Sequence, residues 1–173
     1  MYADTARARS MLDYGAIRRA SKKISAMNDL ATNPLLDLSG LPRFSAIRAE
    51  HVEPAVDAAL SANRDAIERL LAEVREPTWA SFVQPIEDMN ERLARLWSPV
   101  SHLNAVMNND ELRVAYGACL PLLTAWYTDL GQNERLYRAY QAVLEKEGGH
   151  LSAAQRLLLE KALRDFRLAG VAL

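Results

Sequence analysis

Asn109-Asp110-Glu111-Leu112-Arg113-Val114-Ala115-Tyr116-Gly117-Ala118-Cys119-Leu120-Pro121-Leu122-Leu123-Thr124-Ala125-Trp126-Tyr127-Thr128-Asp129-Leu130-Gly131-Gln132-Asn133 is the stretch on which the fold turns. Leu112, Tyr116, Cys119, Leu123, Trp126 and Leu130 recur at alternating steps of four and three, a stripe suited to packing along another helix. Asn109 suits the N-cap, and Asp110 and Glu111 fall in the first turn, where the helix dipole favours negative charge. Pro121 lacks an amide hydrogen and predicts a kink. Gly131 fits the C′ position, and Asn133 can cap a further helix almost at once. So short a connection predicts an antiparallel hairpin of two helices.

Upstream, the same period recurs twice. A first long helix is expected to start near Glu50, with Pro54 in its opening turn, and to end before Pro77. Val52, Val56, Ala59, Asn63, Ile67, Leu70 and Val74 make its apolar face. Thr78 is the expected N-cap of a second helix, with Trp79 at the entry. Its stripe is Phe82, Ile86, Met89, Leu93, Trp97, Val100 and Leu103. Pro99 lies inside that stripe, which continues on both sides, so a kink is predicted rather than a break. Between Leu36 and Arg48, Gly40, Pro42 and two serines predict an extended lead-in or loop.

Downstream, Leu136, Tyr137, Tyr140 and Leu144 mark a fourth helix that stops at Gly148-Gly149. Ser152 with Gln155 is a capping-box pattern for a fifth. Leu158, Ala162 and Phe166 form its stripe, and Glu160 with Arg164 is a favourable pair one turn apart. No sustained alternation or hairpin signal indicates strands. The fold class is therefore all-α: about five long antiparallel helices, two of them kinked at proline, in a bundle-like array.

The chain has 173 residues, 50% hydrophobic and 25% charged, with a net charge of −1. That composition is ordinary for a globular protein and gives no global electrostatic reason to expect nucleic acid or an anionic membrane as partner. A single cysteine excludes an internal disulfide framework and fits a reducing compartment, the cytoplasm. Cys119 to Trp126 is the longest markedly apolar run, far short of the roughly 20 residues a membrane span needs. The first 27 residues hold six basic residues against two acidic ones, a net +4, which leaves −5 for the remainder. Met11, Tyr14, Ile17 and Ile24 could form one stripe of a basic helix there. Residues 1–32 are read as a basic extension, helical or disordered, outside the fold.

Candidate chemistry is sparse. A zinc peptidase needs two imidazoles one helical turn apart with a glutamate between them. Four residues beyond His51, His102 and His150 stand Ala55, Val106 and Ala154, and Glu53 points away from His51 on a helix. No catalytic, cofactor-binding or metal-binding residue is assigned. His102 is read as a polar group at a helix surface or contact, Cys119 as an inert buried thiol, and Asn63 as a polar residue within an apolar face. Trp79, Trp97, Trp126, Tyr116, Tyr127, Tyr137 and Tyr140 read as core or interface aromatics. If the Trp97 ring is buried, its truncation to alanine is expected to cost about 3–5 kcal/mol. No glycine-rich phosphate loop or basic stripe is present.

One further segment carries a resemblance. Trp97-Ser98-Pro99-Val100-Ser101-His102-Leu103-Asn104-Ala105-Val106, with Leu112-Arg113-Val114-Ala115-Tyr116, resembles the N-terminal region of the oligopeptidase A and thimet oligopeptidase family of zinc metallopeptidases. The resemblance extends to Asn33-Pro34-Leu35-Leu36, Glu50-His51-Val52-Glu53-Pro54-Ala55-Val56, Trp79, Gln84-Pro85, Leu120-Pro121-Leu122-Leu123 and Ala162-Leu163-Arg164-Asp165-Phe166. It implies that residues 33–48 lead into a helical N-terminal domain over 49–173. In such enzymes, helices like these form one wall of a deep channel that admits short peptides and excludes folded proteins. The family's His-Glu-x-x-His helix is absent from this chain. Zinc is thus implied for the parent family, bound by a missing C-terminal catalytic domain, with no cofactor in this chain. That domain and short peptides are the implied partners, and neither nucleic acid nor membrane is expected. The chain stops at Leu173 soon after a helical pattern, as a truncated chain would. The competing expectation is a free-standing helical interaction module without enzymatic activity.

Overall fold

The start of the first helix is fixed by a reciprocal arrangement of side chain and backbone. The Arg48 amide donates to His51 Nδ1 at 3.1 Å, and the Asn33 side chain donates to the His51 carbonyl at 2.8 Å. A computed structural model describes residues 29–171, so the basic stripe at Met11 to Ile24 lies outside the described residues. Asn33 is buried, and its Oδ1 also accepts from the Leu35 amide. The lead-in is made of turns and bends. It includes a short 3₁₀ turn, Phe44–Ala46, and Arg95 holds it by donating to the carbonyls of Leu38 and Gly40 at 2.7 and 3.2 Å.

Five helices follow: α1 (Ala49–Glu73), α2 (Gln84–Val106), α3 (Asp110–Gly131), α4 (Glu134–Glu147) and α5 (Ala153–Leu168). No strand occurs among the described residues. All three helix-interior prolines sit in unbroken helices. Because α1 begins at Ala49, Pro54 lies in its second turn rather than its first. Thr78 does cap the second helix, through Ser81, but the first turn, Trp79–Val83, is a wide π-type turn that passes directly into α2.

α1 spans roughly 37 Å at 1.5 Å per residue and is the spine of the domain. It packs on both α2 and α3, so its buried arc is wider than one stripe and takes in Ala55 and Leu60 as well. On α2 the buried row is Ile86, Met89, Leu93, Leu96, Val100 and Leu103, in strict steps of three and four. Leu96, not Trp97, occupies the position facing the core. Trp97 is half-buried and stacks on Tyr116 with ring centres 4.8 Å apart. The large cost assigned to a buried Trp97 therefore does not apply.

The expected hairpin of the third and fourth helices does not form. α3 and α4 do not lie along each other, and α4 packs on α5 and the π-type turn instead. Arg64 of α1 sits 5.8 Å from the Trp126 ring near the end of α3. Further along α1, Glu68 pairs with Arg135 at 3.2 Å, and beyond its end Glu76 pairs with Lys146 at 2.6 Å. α4 thus runs past the end of the spine in the direction α3 was travelling. The reason lies in Gly131, which remains helical with negative φ, so no left-handed residue reverses the chain.

Among the described residues the left-handed glycine is Gly170, at φ 93°. The Val171 amide donates to Phe166 O and the Gly170 amide to Arg167 O, a Schellman motif that ends α5 at Leu168. Gly170→Ala is expected to lower stability by about 1 kcal/mol in a urea titration. Gly131→Ala places a methyl 3.4 Å from the Ala169 side chain, an ordinary contact, and is expected to be near neutral. On α5 the buried residues are Leu159 and Leu163, one position past Leu158 and Ala162, which are only half-buried. Arg164 pairs with Asp165 at 2.8 Å and not with Glu160.

Candidate functional site

The residues most able to do chemistry are dispersed by the fold. His51 is committed to the α1 cap, His102 is exposed on α2, and His150 is exposed in the turn before α5. Among the described residues, no group of three or more His, Cys, Asp or Glu side chains could hold a metal ion. Cys119 is fully buried on α3. Burial, then the carboxylates of Glu53 and Asp57, push its thiol up to about 11, so it is neither a thiolate nor accessible at neutral pH. Asn63 is buried within the apolar face of α1.

His102 stands at the edge of a groove of about 420 Å³ between the lead-in loop and α2. Leu38, Leu41, Phe44 and Pro99 give it apolar walls, and Phe44 meets the His102 ring edge-on with centres 5.5 Å apart. Arg95 lines the same groove, but its guanidinium is spent on loop carbonyls. The groove can bind an apolar side chain; Ser98 and His102 both line it one turn apart on α2, but no hydrogen bond joins hydroxyl and imidazole as a nucleophile and its base require.

A buried tyrosine and a half-buried glutamate shape the electrostatics elsewhere. Tyr140 is buried, and burial followed by the Glu87 charge raises its phenol above the ordinary range. Burial likewise raises Glu87, with Asp88 adding to the shift and a hydrogen bond to Asn90 opposing it. A carboxyl whose pKa rises on folding binds its proton more tightly in the folded state. Its stabilising contribution is present at acid pH and is lost as pH rises through the folded value. Glu87→Gln is therefore expected to raise the melting temperature at pH 7 and to change it little at pH 4.

The aromatic residues divide between core and surface. Trp126 and Tyr140 are buried, Trp79 and Tyr137 half-buried, and Tyr127 is 53% exposed on α3. The Trp79 amide donates to Glu147 Oε2 at 2.7 Å and its indole to Gln84 at 3.1 Å, which ties the π-type turn to the end of α4. Tyr127 belongs to a set the helical stripe alone did not reveal. Val114, Leu120 and Leu122 on α3 are also exposed, and Val106 and Met107 are exposed just before it. The signal in the sequence was compositional: no charged residue occurs between Val114 and Tyr127.

Residues 56–173 match the family model for the neurolysin/thimet oligopeptidase N-terminal domain. The chain is 47% identical to oligopeptidase A of Haemophilus influenzae over 145 residues, and 46% identical to that of Escherichia coli over the same length. Each match covers 82% of this chain and 21% of the relative. A probable cytosolic oligopeptidase A of Arabidopsis thaliana is 33% identical over 87% of the chain. The chain thus spans about a fifth of the length of these relatives, and it belongs to the neurolysin/thimet oligopeptidase family, in its N-terminal domain.

Proposed function

We propose that this chain is the helical N-terminal part of a zinc metalloendopeptidase of the oligopeptidase A type, which hydrolyses short peptides. In this reading it forms a wall of the substrate channel and carries no catalytic residue. The match of residues 56–173 to the family's N-terminal domain carries the proposal. Long helices built on one spine support a role in steric gating and substrate positioning, which lowers a barrier by fixing geometry rather than by supplying reacting groups. Among the described residues the donors do not fit a zinc site: the three histidines lie on separate elements and one is consumed as a helix cap. The metal, which would activate a water for attack on the peptide bond, belongs in this reading to polypeptide outside the chain. None of the described helices is long and apolar enough to cross a membrane. The single buried thiol supports a cytoplasmic setting.

The test is a comparison of the chain alone with the chain fused to the remaining four-fifths of Haemophilus influenzae oligopeptidase A. The chain alone is expected to leave a quenched fluorogenic peptide intact. The fusion is expected to cleave it, to lose activity on chelation and to regain it with added zinc. Cleavage by the chain alone, or a metal-loaded fusion that is folded and inactive, would overturn the reading.

A further inference from the structure

α3 carries two apolar faces, and among the described residues only one of them has a partner. Leu112, Ala115, Cys119, Leu123 and Trp126 are buried against the rest of the domain. About a third of a turn round the helix, Val114, Ala118, Pro121, Leu122 and Ala125 are all exposed, at steps of four, three, one and three. Val114 is 71% exposed. These five form a continuous second stripe, and exposed Leu120 and Tyr127 lie on the other side of the buried row from it. A helix that is apolar all round is ordinarily buried all round. Ala118 and Ala125 leave shallow gaps between Val114, Pro121 and Leu122, into which large side chains of another element can insert.

We propose that this outer face of α3 is the docking surface for the polypeptide that makes up the rest of an oligopeptidase A-type protein, an inference that rests on the reading above. The choice of occupant follows from two observations. The chain accounts for only 21% of the matched relatives, so most of the polypeptide that could cover the stripe lies outside it. The stripe is also small. Five side chains are far fewer than the roughly 20–30 residues per partner of a standard interface between separate molecules. A second copy of the chain would gain too little from so narrow a strip. A segment of the same polypeptide arrives at high effective concentration and needs far less contact to stay docked.

Solvent protection of the face tests the proposal, with Ala118→Cys as probe and Leu157→Cys, on exposed α5, as reference. The buried Cys119 thiol contributes no background in the folded chain. Maleimide labelling is followed in the isolated chain and in the fusion described above, with peptide cleavage measured on the same fusion. Position 118 is expected to label freely in the isolated chain and at least about tenfold more slowly in the fusion, with position 157 unchanged. An active fusion in which position 118 labels at the isolated rate overturns the surface and leaves the functional reading standing. Selective protection in a fusion without peptidase activity upholds the surface and overturns the reading. Equal slowing at both positions, or protection of the isolated chain that grows with its concentration, overturns the assignment; the latter identifies a second copy as the occupant.

Discussion

Phe82→Ala is expected to lose about 3–5 kcal/mol in urea unfolding, with the loss concentrated in the second half of the domain. Phe82 is 1% exposed in the π-type turn, and its ring meets Tyr140 edge-on with centres 6.4 Å apart. Tyr140 meets Phe166 at 5.7 Å, and Phe166 meets Tyr137 at 5.9 Å, both edge-on. This run of rings joins the entry of α2 to α4 and α5. Truncation of Phe82 therefore removes its own buried area and the support beneath Tyr140. Phe82→Leu retains most of the volume and is expected to cost less than half as much. If the alanine variant unfolds within about 1 kcal/mol of the parent, Phe82 is not the keystone of that half.

Trp126 gives the second large effect and a sharper contrast. The ring is 3% exposed on α3, with the Arg64 guanidinium 5.8 Å from its centre. Its indole Nε1 is buried and has no hydrogen-bond partner among the described residues. An unpaired buried donor costs about 1–3 kcal/mol, so the native indole already carries a penalty. Trp126→Ala is expected to destabilise by about 3–5 kcal/mol through the cavity it opens. Trp126→Phe removes the stranded N–H together with part of the ring, and those effects offset; a loss of no more than about 1 kcal/mol is expected. Equal destabilisation by the two variants would mean that the N–H is satisfied in solution.

Much of this architecture was legible from periodicity and capping residues. Thr78, Asn109, Asn133 and Ser152 all cap where their chemistry places them. Phase was harder to read. Leu96 and Trp97 are both apolar neighbours, and either could continue the α2 stripe. The requirement that α1 and α3 close on the same side selects the smaller leucine and leaves the indole to stack at the margin. The same ambiguity displaced the buried face of α5 by one residue. The path after α3 was not legible, because Gly131 is compatible with both a helical and a left-handed backbone. Tertiary packing chose the helical one, and the left-handed role fell to Gly170. The outer face of α3 was missed for a different reason. A search for one stripe per helix does not register a second, whereas the uncharged run from Val114 to Tyr127 does.

The packing of α1 between α2 and α3 sets the order in which the domain opens. Any excursion that frees the middle of α1 must first detach α2 on one side and α3 on the other. Hydrogen-deuterium exchange at the amides around Val56, Leu60 and Asn63 should accordingly approach the rate set by global unfolding, while amides in the turns at 107–109 and 148–151 exchange through small local openings.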